Sequence, residues 1–273
     1  MTSISSMFSL SVGRKVVMGL TGLFLVSFLF VHLSGNLLLF KSDGGVSFNE
    51  YTRFMTTNPV IRVMEWVLFA GFIFHIIYAA ILTRQNRKAR PVAYAYKSGS
   101  GSSSWFSRNM GLSGSIILAF LIIHLVMFWG KYKFGGATAE VTIEEAYTMA
   151  WKVKEDISYG ADQAMVKSGT YVDLEEYLLL KEAGRADEKV RGISMTEVVQ
   201  ASFGEWYIVL FYVLSMVLIG FHLNHGFQSS FRTLGLMHKK YTPLISKAGT
   251  ALSIVIPLIF AAMPVVYFIR TLS

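Results

Sequence analysis

The 273-residue chain has no cysteine. That absence excludes disulfides, thiolate zinc sites, iron–sulfur clusters ligated by the chain and thioether-linked haem. Charge is scarce too: Asp, Glu, Lys and Arg make up 15% of the residues, against about a quarter in a soluble domain. Apolar residues take their place at 53%. They arrive in long blocks rather than at amphipathic spacing, which places the chain in the membrane class.

Five blocks, Val16–Phe40, Ile61–Thr83, Leu112–Tyr132, Tyr207–Ser229 and Ala248–Ile269, are long enough as helices to cross ~30 Å of hydrocarbon. The expected fold class is all-α: a polytopic membrane protein with five transmembrane helices, the first four forming a bundle, in a single membrane domain over 1–273. The first block is too long for a signal peptide and no small-residue cleavage site follows it, so it reads as a retained helix.

Acidic residues are missing altogether from three segments: before the first span, between the second and third, and between the fourth and fifth. Those segments hold Arg14, Lys15, Arg84, Arg87, Lys88, Arg90, Lys97, Arg108, Arg232, Lys239, Lys240 and Lys247. The opposite side holds Asp43, Glu50 and a net acidic loop, Lys133–Glu205. The positive-inside rule makes the basic side cytoplasmic, with the N-terminus inside and the C-terminus outside. A bacterial inner membrane is the expected location. The net charge of +8 is then a topology signal with affinity for anionic membrane lipid. Nucleic acid is not an expected partner, because the cations are split among three short segments.

In chain order, Met1–Gly13 reads as an interfacial lead and Gly44–Pro59 as an external connection with a turn at Asn58–Pro59. Ser98–Ser104 reads as a flexible tract. The long external loop, 133–205, reads as partly helical, over Thr142–Asp156 and Asp173–Ala183, with Met195–Phe203 an amphipathic approach to the fourth span and no second catalytic domain. The fifth span carries Pro257 and Pro264 and no histidine, and is expected at the periphery. Trp66, Trp129, Trp206 and Tyr207 fit interfacial aromatic belts.

Five of the six histidines lie within spans: His32, His75, His124, His222 and His225. His238 falls in a basic segment and reads as a solvated residue. A single intramembrane histidine is often a satisfied packing residue. One in each of four consecutive helices marks a site. Counting from the basic edge, His32 stands ~25 Å and His124 ~24 Å along the helix axis, His75 ~13 Å and His222 ~15 Å. Spans 1 and 3 lie diagonally in an up-down arrangement, as do spans 2 and 4. The expected pairs are His32 with His124 and His75 with His222, at two levels ~10 Å apart.

Two neutral imidazoles between apolar helices, without carboxylate or thiolate, suit haem iron with both axial positions filled, and hence one-electron transfer. His222 and His225 compete for the fourth ligand position. His222 is deeper and has Gly226 at i+4, with no side chain to crowd a flat porphyrin. His225 lies a turn nearer the basic edge, where it can snorkel or bond a haem propionate.

The motifs V-H-L-S-G-N at Val31–Asn36, F-H-I-I-Y at Phe74–Tyr78, I-H-L at Ile123–Leu125 and G-F-H-L-N-H-G at Gly220–Gly226, in this order and at these depths, resemble the di-haem cytochrome b subunit of succinate:quinone oxidoreductases. This family comprises succinate dehydrogenases (respiratory complex II) and fumarate reductases with one five-helix anchor subunit. The F-Q-S-S-F-R-T-L-G-L that follows is similar to the Bacteroidetes branch. The resemblance implies a distal haem b on His32 and His124 and a proximal haem b on His75 and His222. It further implies a flavoprotein partner that carries the succinate chemistry, an iron–sulfur partner docked on the basic face, and a membrane quinone, menaquinone in type, as redox substrate. Two features depart from the family: the long loop, and Gly220, where some fumarate reductases carry a glutamate for transmembrane proton movement.

Glu65 is the acid within a span. It is a candidate for quinone protonation near the distal haem, or an interfacial residue paired with Arg62 or solvated. Two other readings stay open: a di-haem cytochrome b of another quinone-linked dehydrogenase, of formate dehydrogenase or hydrogenase type (or a ferric reductase), and a haem-free proton-coupled transporter using the histidines as a relay.

Overall fold

The computed structural model describes residues 11–89, 108–135, 138–159 and 163–272. Residues 1–10 of the N-terminal lead, Arg90, Lys97 and the Ser98–Ser104 tract lie outside the described residues. The protein is an all-α polytopic membrane protein: five helices are long and apolar enough to span a bilayer, Val12–Phe40, Pro59–Lys88, Met110–Phe134, Trp206–Thr233 and Thr242–Leu272. Each contains the span read from the sequence.

The elements in order are α1 (Ser11–Asn36), a 3₁₀ turn (Leu37–Phe40), α2 (Val46–Thr57), α3 (Pro59–Lys88), α4 (Met110–His124), a π turn (Leu125–Gly130) and α5 (Lys131–Phe134). The long connection follows with β1 (Ala139–Thr142), α6 (Ile143–Thr148), β2 (Lys152–Val153), β3 (Ile157–Tyr159), β4 (Gln163–Val166), α7 (Leu174–Glu182), β5 (Lys189–Ile193) and α8 (Met195–Phe203). The chain ends with α9 (Trp206–Thr233) and α10 (Thr242–Leu272).

Its contacts divide the chain into two compact units. Unit 1 is Met1–Leu33, Val63–Phe120 and Tyr212–Ala262; unit 2 is Ser34–Arg62, Leu121–Phe211 and Met263–Ser273.

Unit 1 packs helix on helix through small residues, which let backbones approach where lipid supplies no hydrophobic drive. A Cβ on Gly71 of α3 would stand 2.7 Å from the Phe24 ring of α1. α9 and α10 approach each other at Gly220, where the α9 backbone carries no side chain. Pro257 has no N–H, so the Ser253 carbonyl one turn earlier loses its helical partner. Gly220 faces that oxygen, and a Cβ there would stand 2.8 Å from it. α10 runs unbroken through both prolines. The close approach leaves no room for a glutamate at 220. The fifth span is not peripheral: a third of its apolar window is buried, more than in any other span. An apolar helix without a histidine gives no sign in sequence of what it packs against.

In unit 2 the segment read as a plain connection holds α2. Asn49, on α2, is 2% exposed. Its amide donates to the Met149 carbonyl (3.2 Å), and its Oδ1 accepts from the Thr196 backbone N–H and hydroxyl (both 3.1 Å). Gly45 precedes α2 at φ +91°, and a Cβ there would collide with Thr196. The end of α1 is covered from α10, where Tyr267 and Arg270 donate to the Leu39 carbonyl at 3.3 and 3.4 Å.

The long connection is an α/β unit with its own core. An antiparallel sheet of order β1-β5-β2 places Val141 opposite Val190, and β3 pairs with β4. Val153, Val166, Val172 and Leu180 are buried with Ile143 and Trp151. The helix expected over Asp173–Ala183 forms as α7, opened by a capping box between Asp173 and Glu176. Met195–Phe203 is α8, capped by Ser194. The helix expected over Thr142–Asp156 is a correction: it stops at Thr148. Ala150 takes φ 53°, and Lys152–Val153 joins β5. Trp151 and Val153 are buried while Lys152 and Lys154 are less so, a period-2 pattern belonging to a strand.

Candidate functional site

Unit 1 brings His75 of α3 and His222 of α9 together, their ring centroids 6.4 Å apart and their planes inclined at 67°. Both rings are partly buried among apolar helices. Thr21 of α1 fixes the proton on His75. Its hydroxyl lies 2.9 and 3.1 Å from the carbonyls of Val17 and Met18, so its single proton is spent on the backbone. At 3.3 Å from His75 Nδ1 the same oxygen must accept. Nδ1 therefore carries the imidazole proton, and Nε2 keeps its lone pair. A histidine held through one nitrogen by a neighbour and presenting the other is the arrangement of a metal ligand.

His222 supplies the opposite wall. Its Nδ1 is buried without a hydrogen-bond partner, a state that costs about 1–3 kcal/mol and points to a group that the ring meets. Glycines flank the pair. A Cβ on Gly22 of α1 would stand 3.6 Å from His75 Cε1, and one on Gly114 of α4 would stand 3.6 Å from His222 Cε1. At Gly226 an added Cβ meets nothing within 4 Å.

The fit to a haem iron is a matter of distance and donor type. Two metal–nitrogen bonds of about 2 Å, with each nitrogen ~1.2 Å from its ring centre, separate two axial imidazole centres by ~6.4 Å. The His75–His222 separation agrees. The ring inclination is no obstacle, because rotation about the nitrogen–metal axis is free. Among the described residues no three His, Asp or Glu side chains gather into one group. The donor set on offer here is an imidazole pair.

The other residues singled out in sequence are placed as follows. His225 is half-buried one turn along α9 from His222. His32 belongs to unit 1, its ring stacked on Phe28 (5.3 Å, 17°) and tilted against Phe260 of α10 (5.5 Å). His124 belongs to unit 2, where it is the last residue of α4 before the π turn and packs on Phe128 at 5.1 Å. Such π turns interrupt helices frequently at functional sites. Glu65 is half-buried in α3. Thr21 is the residue that sequence reasoning missed. Its signal is slight: one hydroxyl ahead of Gly22 in an otherwise apolar run.

Comparison of the chain with protein-family models, with curated proteins and with solved structures gives no match.

Proposed function

We propose that this chain is the membrane-anchor cytochrome b subunit of a succinate:quinone oxidoreductase, with two b-type haems as its cofactors, passing electrons between an iron–sulfur partner and membrane quinone. The observation that carries the reading is the His75–His222 pair, 6.4 Å apart, with Thr21 holding the His75 tautomer. The order and depth of the four span histidines support it.

In this reading His75 and His222 hold the proximal haem through their imidazoles, and His32 and His124 hold the distal one. A haem iron with two axial histidines supplies reversible one-electron chemistry. His225 lies toward the basic edge, where it serves a propionate. Glu65 takes or gives the quinone proton. The basic, cytoplasmic face receives the iron–sulfur and flavoprotein partners, with the N-terminus on that side of a bacterial inner membrane. Position 220 is a glycine against the Ser253 carbonyl, and this reading draws no glutamate-borne proton path through it.

The test is an optical spectrum of the purified chain with haem quantified. A low-spin b-type spectrum at two haems per chain, reduced by succinate when the flavoprotein co-purifies, is the expected result. A haem-free chain would overturn the reading in favour of a proton-relay transporter. Haem without a succinate-reactive partner would move it to another quinone-linked dehydrogenase.

Thr21→Val provides a second check. Loss of the oxygen frees the His75 ring to turn, and haem retention at this site should weaken ~10–100-fold. Dissociation into apomyoglobin measures it. Thr21→Ser should restore retention, whereas an equal loss in Thr21→Ser would reject the hydrogen-bond argument.

A further inference from the structure

The last helix of the long connection, α8, packs on the turn that follows a span histidine. Its start is fastened twice. The Ser194 hydroxyl caps it by accepting from the Glu197 N–H at 3.0 Å, and Asn49 of α2 holds the Thr196 N–H and hydroxyl. Val198, Val199, Ser202 and Phe203 are buried along its length. At its end the Phe203 ring stands 5.5 Å from the ring of Phe128, the two planes inclined at 49°.

Phe128 belongs to the π turn Leu125–Gly130 that opens directly after His124. The turn is tight at its end: a Cβ on Gly130 would stand 3.3 Å from the Leu125 carbonyl five residues earlier. Phe128 is buried, and its other neighbour is the imidazole of His124, centroid to centroid 5.1 Å at 50°. Three rings therefore run in line, Phe203 to Phe128 to His124, and all three lie in unit 2.

The torsion that turns a histidine ring about its Cβ–Cγ bond is broad and roughly two-fold, so the ring's neighbours decide where its nitrogens point. Interiors are close-packed and transmit strain. A Phe128 ring backed by Phe203 keeps its face against His124, and a space opened behind it lets both rings turn. We propose that Phe203 is a positioning residue for His124, so that the long connection sets the direction of a span imidazole through α8 and Phe128. The ring geometry stands without haem. Its consequence rests on the haem reading above, in which His124 is an axial ligand and the groups that orient such a ligand tune the iron.

The test follows the Cε1–H magnetic resonance signal of His124 in the full chain, with isotope-labelled histidine, in detergent and under dithionite, where a bis-imidazole haem iron is diamagnetic. Loss of the signal in His124→Gln assigns it. Phe203→Ala should displace it and leave the other histidine signals in place. Phe203→Leu refills most of the space and should bring the signal most of the way back. Val166→Ala opens a cavity in the separate core of the long connection and should leave the signal where it was. An unmoved His124 signal in Phe203→Ala, or an equal displacement in Val166→Ala, would overturn the proposal. With haem bound, oxidised Phe203→Ala should shift the low-spin electron paramagnetic resonance signal of one haem and keep that of the other. A chain that binds no haem would end the haem reading and leave the His124 signal to decide this proposal.

Discussion

If the chain binds haem as proposed, His222→Ala should leave one haem per chain where the unaltered protein should carry two, and His225→Ala should leave both. His222 faces His75 across 6.4 Å, and its Nδ1 is buried without a hydrogen-bond partner. His225 is half-buried and one turn nearer the basic edge. Axial ligation needs an imidazole opposed to a second imidazole, and His222 stands in that relation to His75. Alanine at 222 removes the nitrogen and leaves His75 without an opposed imidazole. The pyridine haemochrome of the purified variant should fall to about half that of the unaltered protein. His75→Ala should do the same, and the double variant should fall no further, because both residues serve one site. If His225→Ala were the variant to lose haem, the ligand assignment on α9 would move to His225. If neither changed the haem count, the pairing of α3 with α9 would fail.

The five spans were legible because a long apolar block has few other uses. The rise of about 1.5 Å per residue put His75 and His222 at like heights, and their rings stand 6.4 Å apart. Height along the helix said nothing of Thr21, because a hydroxyl can satisfy itself on its own helix backbone and its second role appears only once α3 stands beside it. Nor did it reveal the burial of α10. The packing of that helix rests on Gly220 meeting the carbonyl freed by Pro257, a relation between two helices that neither sequence segment shows alone. In the long connection the helices over Leu174–Glu182 and Met195–Phe203 formed, and the stretch read as helix over Thr142–Asp156 gave a strand after Thr148. Its alternating W-K-V-K at Trp151–Lys154 carried the strand signal, but four residues are too few to outweigh a helical opening with a Thr142–Glu145 capping box. His32 and His124 were assigned by depth alone, and the structure gives each its own aromatic neighbours, Phe28 and Phe260 for the first and Phe128 for the second.

The largest loss of stability is expected at Asn49, a residue without chemistry to announce it. Asn49→Leu should destabilise unit 2 by about 2–5 kcal/mol. The leucine nearly matches asparagine in shape but makes no hydrogen bond. Met149 O loses its donor, and the Thr196 N–H loses its acceptor inside a site where Asn49 is 2% and Thr196 7% exposed. The Thr196 hydroxyl still reaches the Gly45 carbonyl at 3.2 Å, which is why the expected loss is that of two orphaned backbone groups and not three. Asn49→Asp separates the two halves of the interaction: it keeps the acceptor for Thr196 and turns the donor toward Met149 into a repelling oxygen. It should therefore protect α8 better than Asn49→Leu while losing the Met149 contact equally. Hydrogen exchange reads this directly. Faster exchange over 46–57 and 195–203, with the 212–233 stretch of α9 unchanged, is the expected pattern. Uniform acceleration along the whole chain would mean that Asn49 holds up the entire fold instead, and unchanged exchange over 195–203 would show that the sheet and its core anchor α8 without α2.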